Sequence, residues 1–318
     1  MRYAIGVDLG GSSAKIGLVS ERGELVAKEV VPTLDSPDPV AVLEPWMVAV
    51  EEMCAKAAAQ GRRVEAFGCG VSGYLDPTRT VVDQNNTAAL DGFALTPWLE
   101  RRLGLPVAID NDACMAAIAE VALAGTRPGE RILFVTVGSG IGVVLLVDGQ
   151  VVRVMHGVTG DAAHIIVDAG SSETCPLGCY GCLETVASAR AIARKGQEAA
   201  ETGHSPVLMS RLRRTGIVTS KDVAEAAAAD DAAALAILNW AGDWLGVGLA
   251  SWAPVYEPDV VLIGGGVSQA GSEWLAAAEA SMRAHGCPFF TRKIRLRLAA
   301  LGNQAGMIGA GLVALRAG

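Results

Sequence analysis

The sequence predicts an α/β protein made of two similar halves. Three observations carry that prediction. Short apolar runs of strand length alternate with longer stretches of helical spacing along the whole chain. An apolar strand, a glycine-rich turn and a second strand occur together twice, at Asp8-Leu-Gly-Gly-Ser-Ser and at Val137-Gly-Ser-Gly-Ile-Gly. The 318 residues, 51% hydrophobic and 19% charged, suffice for about two domains with sizeable cores.

In the first half, Tyr3–Val7, Ala14–Val19 and Glu24–Val31 read as three consecutive strands joined by turns. Val40–Ala59 has helical spacing and composition. Ala66–Val71 is an apolar strand that leaves through a loop, Gly73–Asp76. Pro106–Ile109 is a short strand running into Asp110-Asn111-Asp112, and Ala113–Ala124 is an alanine-rich helix. A polar link, Gly125–Glu130, precedes the restart. Ile132–Val137, Val143–Val147 and Val151–Met155 are again three strands. Helices over Thr185–Gly203, Ser220–Ala228 and Asp231–Ala250 follow, then strand Val260–Ile263, helix Glu273–His285, strand Ile294–Leu298 and a closing helix, Gln304–Arg316. Two such halves with a cleft between them are a natural place for a ligand.

The net charge of −8 argues against a nucleic-acid surface, and no aromatic residues interleave with a basic stretch. Met1 is followed almost at once by a strand, so no secretory leader is expected. The most apolar region, Ile132–Val147, is broken by Gly138, Ser139, Gly140 and Gly142, so no membrane span is expected either. Of seven cysteines, three crowd into eight residues, which points to a reducing compartment, the cytoplasm, and to a metal site rather than a disulfide framework.

Gly10, Gly11, Ser12 and Ser13 follow a strand; glycines let the backbone approach an anion, and amides and hydroxyls donate to it. Asp8 at the strand end is placed to hold hydrated Mg²⁺ near phosphates. The same residues equally form a tight hairpin. Gly138-Ser139-Gly140 lies between strands, so it is no Rossmann fingerprint, and no P-loop motif occurs. A third cluster, Gly264-Gly265-Gly266, taken alone is a strand-to-helix turn that needs glycine.

Together, Asp8-Leu-Gly-Gly-Ser-Ser-Ala-Lys-Ile-Gly, Asp110-Asn-Asp-Ala, Val137-Gly-Ser-Gly-Ile-Gly, Gly181-Cys-Leu-Glu and Val261-Leu-Ile-Gly-Gly-Gly-Val resemble the ROK family (repressor, open reading frame, kinase) over nearly the whole chain and in the same order. The resemblance implies an actin-like, ribonuclease-H-like fold of two α/β domains, here 1–112 completed by 303–318, and 113–302. It implies transfer of the γ-phosphate of ATP to a hexose. The family's repressors carry an additional N-terminal helix-turn-helix, for which this chain reads no counterpart before Tyr3.

Asp112 stands just past a strand at a helix start; by composition it is a cap, and by resemblance it is the base that takes the proton of a sugar hydroxyl. The resemblance further places Gly73, one of Asn85 and Asn86, Asn111, Asp161, His164 and Glu184 against the sugar. Asp161 and Ala163 depart from the family's Gly-Glu-x-Gly-His, and the shorter Asp161 puts the pocket near C1 and C2 in question. Asp8, Gly10, Gly11, Ser12, Lys15, Gly138, Ser139 and Gly140 fall on the phosphates and their Mg²⁺, and Gly265 and Gly266 on the adenosine.

His164, Cys175, Cys179 and Cys182 supply an imidazole and three thiols, a tetrahedral Zn²⁺ set, or else small buried residues. The family's loop reads Cys-x-Cys-Gly-x-x-Gly-Cys-x-Glu; here Leu177 takes its second cysteine position and Cys179 is the replacement ligand. The expectation is therefore a cytoplasmic ATP-dependent hexokinase of the glucokinase type, using ATP, Mg²⁺ and structural Zn²⁺. By resemblance it is a homo-oligomer, a dimer in particular, with neither nucleic acid nor membrane as partner. A kinase for another polyol (amino sugar, N-acetylmannosamine, fructose or cyclitol) and a non-catalytic sugar-sensing regulator are the alternatives.

Overall fold

The structure, a computed structural model, describes residues 1–85, 87–154 and 161–317. The chain opens with β1 (Tyr3–Leu9), β2 (Ser13–Ser20) and β3 (Leu25–Pro32). Helix α1 (Pro39–Ala59) starts with a proline, which lacks only an N–H that would have gone unpaired, and the Asp38 side chain accepts from Val40 N–H as its cap. Next come β4 (Val64–Val71), β5 (Gly73–Leu75), β6 (Val82–Asn85), α2 (Leu95–Leu103), β7 (Val107–Asn111) and α3 (Asp112–Ala124). The second run begins with β8 (Arg131–Val137), β9 (Ile141–Val147) and β10 (Gln150–Val151). Five helices follow: α4 (Leu183–Ala187), α5 (Ala189–Glu201), α6 (Pro206–Thr215), α7 (Ser220–Ala228) and α8 (Ala232–Tyr256). The chain closes with β11 (Val260–Gly264), α9 (Ser272–His285), α10 (Pro288–Thr291), β12 (Arg295–Leu298) and α11 (Ala305–Ala317).

The two five-stranded sheets have the same order, β3-β2-β1-β4-β7 and β10-β9-β8-β11-β12. In each, the first strand of the run pairs in parallel with a later one, β1 with β4 and β8 with β11. The duplication expected from the two glycine turns is thus present as topology.

On one face of the first sheet, Ile5, Val7, Phe67 and Ile109 are buried with Trp46 and Met47 of α1. Trp46 stacks on Phe67 at 6.4 Å between centroids. Burying each such side chain contributes about 1.5–3 kcal/mol. The other face receives α11. Gly6 and Gly68 are paired across β1 and β4. A Cβ on Gly6 would sit 1.9 Å from the Met307 carbonyl oxygen, and one on Gly68 2.0 Å from that of Ala310. Hydrogen in place of a side chain is what lets the helix backbone lie directly on the strands.

The chain divides into two compact units, one of 1–128, 146–160 and 303–318, the other of 129–145 and 161–302. The division expected from sequence ended the first unit at 112. Helix α3 stays with the first unit because it packs on α11, where Gly309 allows an approach to the Met115 carbonyl. The break falls inside the Gly125–Glu130 link.

Other expectations are corrected. Gly73–Asp76 is not simply a loop, since β5 pairs antiparallel with β6. The helix expected over Thr185–Gly203 is two helices, because Ser188 takes an extended conformation and its side chain caps α5 at Ala191 N–H. The strand expected over Val151–Met155 is the two-residue β10, and Met155 lies outside the described residues. Helix α8 has the length and apolarity to cross a bilayer, against the expectation of no such stretch, but half of that stretch is buried within the second unit. It packs against α9, α7 and α4 as a core helix.

Candidate active site

In the first unit, β7 delivers Asp110 and Asn111, and α3 begins at Asp112. Asn111 caps the helix: its Oδ1 accepts from Ala113 and Cys114 N–H, at 2.9 and 3.3 Å. Its Nδ2 donates to the Gly73 carbonyl at 3.0 Å, tying the β5–β6 hairpin to the helix start. Asp112 keeps part of its surface accessible but is ringed by protein. Desolvation, reinforced by the nearby Asp8 carboxylate, pushes its pKa up to about 7; the Ala113 N–H and Lys15 oppose that rise.

Asp8 and Lys15 face each other across β1 and β2, and Lys15 Nζ lies 2.7 Å from Asp8 Oδ2. The turn between them is held by Gly10 N–H on the Ser13 carbonyl and by Thr33 Oγ1 on the Gly10 carbonyl. Among the described residues, none accepts from the N–H of Gly11 or Ser12. Asn85 pairs with Gly73 in the hairpin register, so its backbone lies beside the Asn111 contact; Asn86 lies outside the described residues.

In the second unit, Gly138 N–H closes the β8–β9 turn on the Gly140 carbonyl at 2.8 Å. Ser139 and Gly140 N–H have no acceptor among the described residues, as suits an anion-binding turn. Glu184 is buried on α4 and accepts from Ile141 N–H at 2.9 Å through Oε2. A Cβ on Gly140 would stand 2.4 Å from that oxygen. Arg190 Nε donates to the Ser139 carbonyl at 2.6 Å, and its Nη2 lies 3.8 Å from Glu184 Oε1. The sequence reading missed Arg190, Arg153 and Arg79; the only available signal for Arg190 was its place six residues after Glu184. Gly265 has φ +86°, and a Cβ there would meet the Val137 backbone at 2.4 Å, so the turn after β11 needs glycine where it crosses β8; Gly266 opens the following turn.

Asp161 and His164 bracket a short 3₁₀ turn in the same unit, with His164 Nε2 3.5 Å from Asp161 Oδ2. Burial raises the Asp161 pKa, His164 lowers it, and Glu184 raises it, which places three expected sugar contacts within electrostatic reach of one another. The other imidazole nitrogen, Nδ1, is 3.4 Å from Cys175 Sγ and 3.6 Å from Cys182 Sγ.

The donor atoms of His164, Cys175, Cys179 and Cys182 all lie within 4.8 Å of one another. A tetrahedral Zn²⁺ with thiolate and imidazole ligands separates its donors by about 3.5–3.8 Å, so the set fits the ion. Cys179 comes in because Cys175 N–H bonds the Cys179 carbonyl and Gly178 N–H bonds that of Cys175, a tight turn with Gly178 at φ +86°. Leu177 is 45% exposed and outside the cluster.

The ROK family profile matches residues 4–317. The chain belongs to the ROK family. It is similar to a glucokinase of Halalkalibacterium halodurans, 31% identical over 310 residues that cover 98% of this chain and 94% of that one. Its structure is similar to a ROK family glucokinase from Streptomyces griseus crystallised with glucose and AMPPNP, with TM-score 0.84, 30% identity and 99% of both chains covered. It is also similar to a ROK family transcriptional regulator, a homologue of the E. coli MLC protein, with TM-score 0.85, 27% identity, and 98% of this chain and 77% of that one covered. This ROK chain has the actin-like ATPase fold.

Proposed function

We propose that the chain is an ATP-dependent glucokinase that transfers the γ-phosphoryl group of ATP to the 6-hydroxyl of glucose. The observation that carries this reading is Asp112: a carboxylate at a helix start, raised to about 7 by burial and Asp8. A base tuned near neutral pH can take a hydroxyl proton and still be ionised beforehand. General-base help of this kind is worth about 10²–10⁴-fold.

Asp112 accepts the proton as the hydroxyl oxygen attacks phosphorus. Asn111 and Gly73 hold the helix start and the hairpin together while the sugar is bound. Asp161, His164 and Glu184 orient the sugar through directed hydrogen bonds; Glu184 keeps Oε1 for a hydroxyl while Oε2 holds the turn. The N–H groups of Gly11, Ser12, Ser139 and Gly140 donate to phosphate oxygens, and Gly265 and Gly266 leave room for the adenosine. Mg²⁺ entering with ATP supplies positive charge to the phosphates, and Asp8 is the carboxylate that would hold its water shell. Zn²⁺ on His164, Cys175, Cys179 and Cys182 would be structural, since four protein ligands leave no open position for substrate.

The similarity to glucokinases along nearly the full length of both chains supports glucose as substrate. A second reading, a sugar-sensing regulator, has the regulator-like structure in its favour, and the proton acceptor Asp112 speaks against it. We place the enzyme in the cytoplasm on its cysteine usage, and as a homodimer on the family resemblance. Coupled ADP-release assays across hexoses, amino sugars and cyclitols test the activity. We expect glucose to be preferred; no release above the sugar-free rate with any of them would refute a kinase.

A further inference from the structure

Asp110, the last but one residue of β7, is buried, with its side chain 2% exposed. Arg153 grips it with both terminal nitrogens, Nη1 on Oδ1 at 3.1 Å and Nη2 on Oδ2. Arg79 adds a third cationic contact, Nη1 at 3.5 Å from Oδ2. Arg79 itself has φ +57°, a left-handed conformation uncommon for a residue with a side chain. The Asp110 Oδ1 also accepts from Asn111 N–H at 2.8 Å. All these residues belong to the first unit. Of these, Asp110, Arg153 and Arg79 take no part in the proposed phosphoryl transfer.

We infer that the Asp110–Arg153–Arg79 cluster is a positioning device that sets the aim of Asn111 and Asp112, and the inference rests on the proposed kinase reading. A buried ion pair adds little net stability, because removing the charges from water offsets most of their attraction. What a guanidinium held on two oxygens supplies is direction: it fixes the plane of the carboxylate. That plane fixes the Asn111 N–H, and with it the turn on which Asp112 stands. Arg79 sits in the connection between β5 and β6, so the same carboxylate ties the hairpin carrying Gly73 to the base. A catalytic group displaced by about 1 Å loses roughly 10²-fold in rate, so control of this turn has a large lever.

The test is steady-state kinetics, a pH profile and thermal melting on the full chain. Arg153→Met should lower kcat about 10²-fold with the KM for ATP unchanged, since the phosphate turns are untouched. Its kcat/KM profile should keep the wild-type acidic limb, because the arginine acts on the place of Asp112 and not on its charge. Arg153→Lys should recover only part, as one ammonium cannot hold two oxygens in a fixed plane. Arg79→Met should fall less, about fivefold, having the longer contact. If Arg153→Met fails to fold, the double variant Asp110→Asn/Arg153→Met removes the unpaired buried charge. That variant should regain melting temperature and remain slow. A double variant that melts like the parent and turns over within twofold of it would overturn the inference and leave the cluster as packing. A shifted acidic limb in Arg153→Met would overturn it in favour of a direct charge effect. A parent with no sugar-dependent ADP release would instead overturn the kinase reading, so the two failures are distinct.

Discussion

The proposed base, Asp112, also bears on stability. Its folded pKa of about 7 lies above the ordinary value of 3.8. A carboxyl raised in this way favours folding fully below the ordinary value, and the advantage disappears as pH rises through 7. Two outcomes are expected. Asp112→Asn should lose about 10²–10⁴-fold in kcat while binding sugar within about tenfold of the parent. It should also melt higher than the parent at pH 8, by about 1–3 kcal/mol of stability, and show a much smaller difference near pH 4. Melting curves across that range check the sign, and kcat/KM of the parent should climb with pH through about 7. At Asp161, one methylene shorter than the glutamate the family places there, restoring length should change selectivity. Asp161→Glu should alter the ratio of kcat/KM between glucose and analogues changed at C1 or C2 by about 1–3 kcal/mol. An unchanged ranking would remove Asp161 from the sugar pocket.

The segment from His164 to Glu184 behaves as one element, because a tight turn and two β-bridges, Ile166 with Cys182 and Thr174 with Tyr180, fold it back on itself. It carries His164 at one end and Glu184 at the other, so whatever fixes the segment fixes both. Four protein donors converge there. Binding of a metal by such a set is also folding free energy for the segment. We expect about one zinc per chain by elemental analysis. Cys179→Ser should lose the metal and raise the KM for sugar several-fold more than that for ATP, while Cys54→Ser, in α1, should leave metal content unchanged. A parent free of zinc after purification without chelators would refute the assignment. The neighbouring helices show why boundaries here were hard to read: the 3.6-residue spacing continues across Ser188, yet its side-chain cap starts a new helix. Helix α6 was missed although Ser205 followed by Pro206 is a capping signal, because its apolar stripe is thin and only Leu208 is buried.

At the scale of the molecule, the first unit is closed by the end of the chain. Helix α11 lies on β1, β2 and β4 and on α3, and its residues from Ala305 to Ala310 are nearly all without solvent exposure. Deleting 303–318 would uncover Ala4, Ala66 and the glycine row along with them. Such a truncation should drop amide protection across 1–128 to near that of an unfolded chain, while helices α8 and α9 of the second unit, which pack on each other, keep most of theirs. Hydrogen exchange read by mass spectrometry checks this region by region. Uniform loss in both units would show that they fold as one.

The amino-acid sequence by itself determined the alternation of strands and helices, the doubled strand–glycine–strand opening and the place of Asp112 at a helix start; its part as a base came only from the family resemblance. Those features are local: each depends on residues within a turn or two of one another, as in Asp8 to Ser13 or Asp110 to Ala113. The family resemblance offered Cys179 as the thiol standing in for Leu177, and the turn from Cys175 to Cys179 is what carries that thiol into the cluster. Only the tertiary structure decided that Arg153, 43 residues beyond Asp110, holds that carboxylate. Only it raised the pKa of Asp112, through burial first and then through the Asp8 carboxylate at the end of β1. It alone returned α11 to the first sheet over Gly6 and Gly68. The physical reason is range: spacing and propensity act along the chain, whereas desolvation, ion pairing and close packing act across space between segments that the sequence leaves far apart.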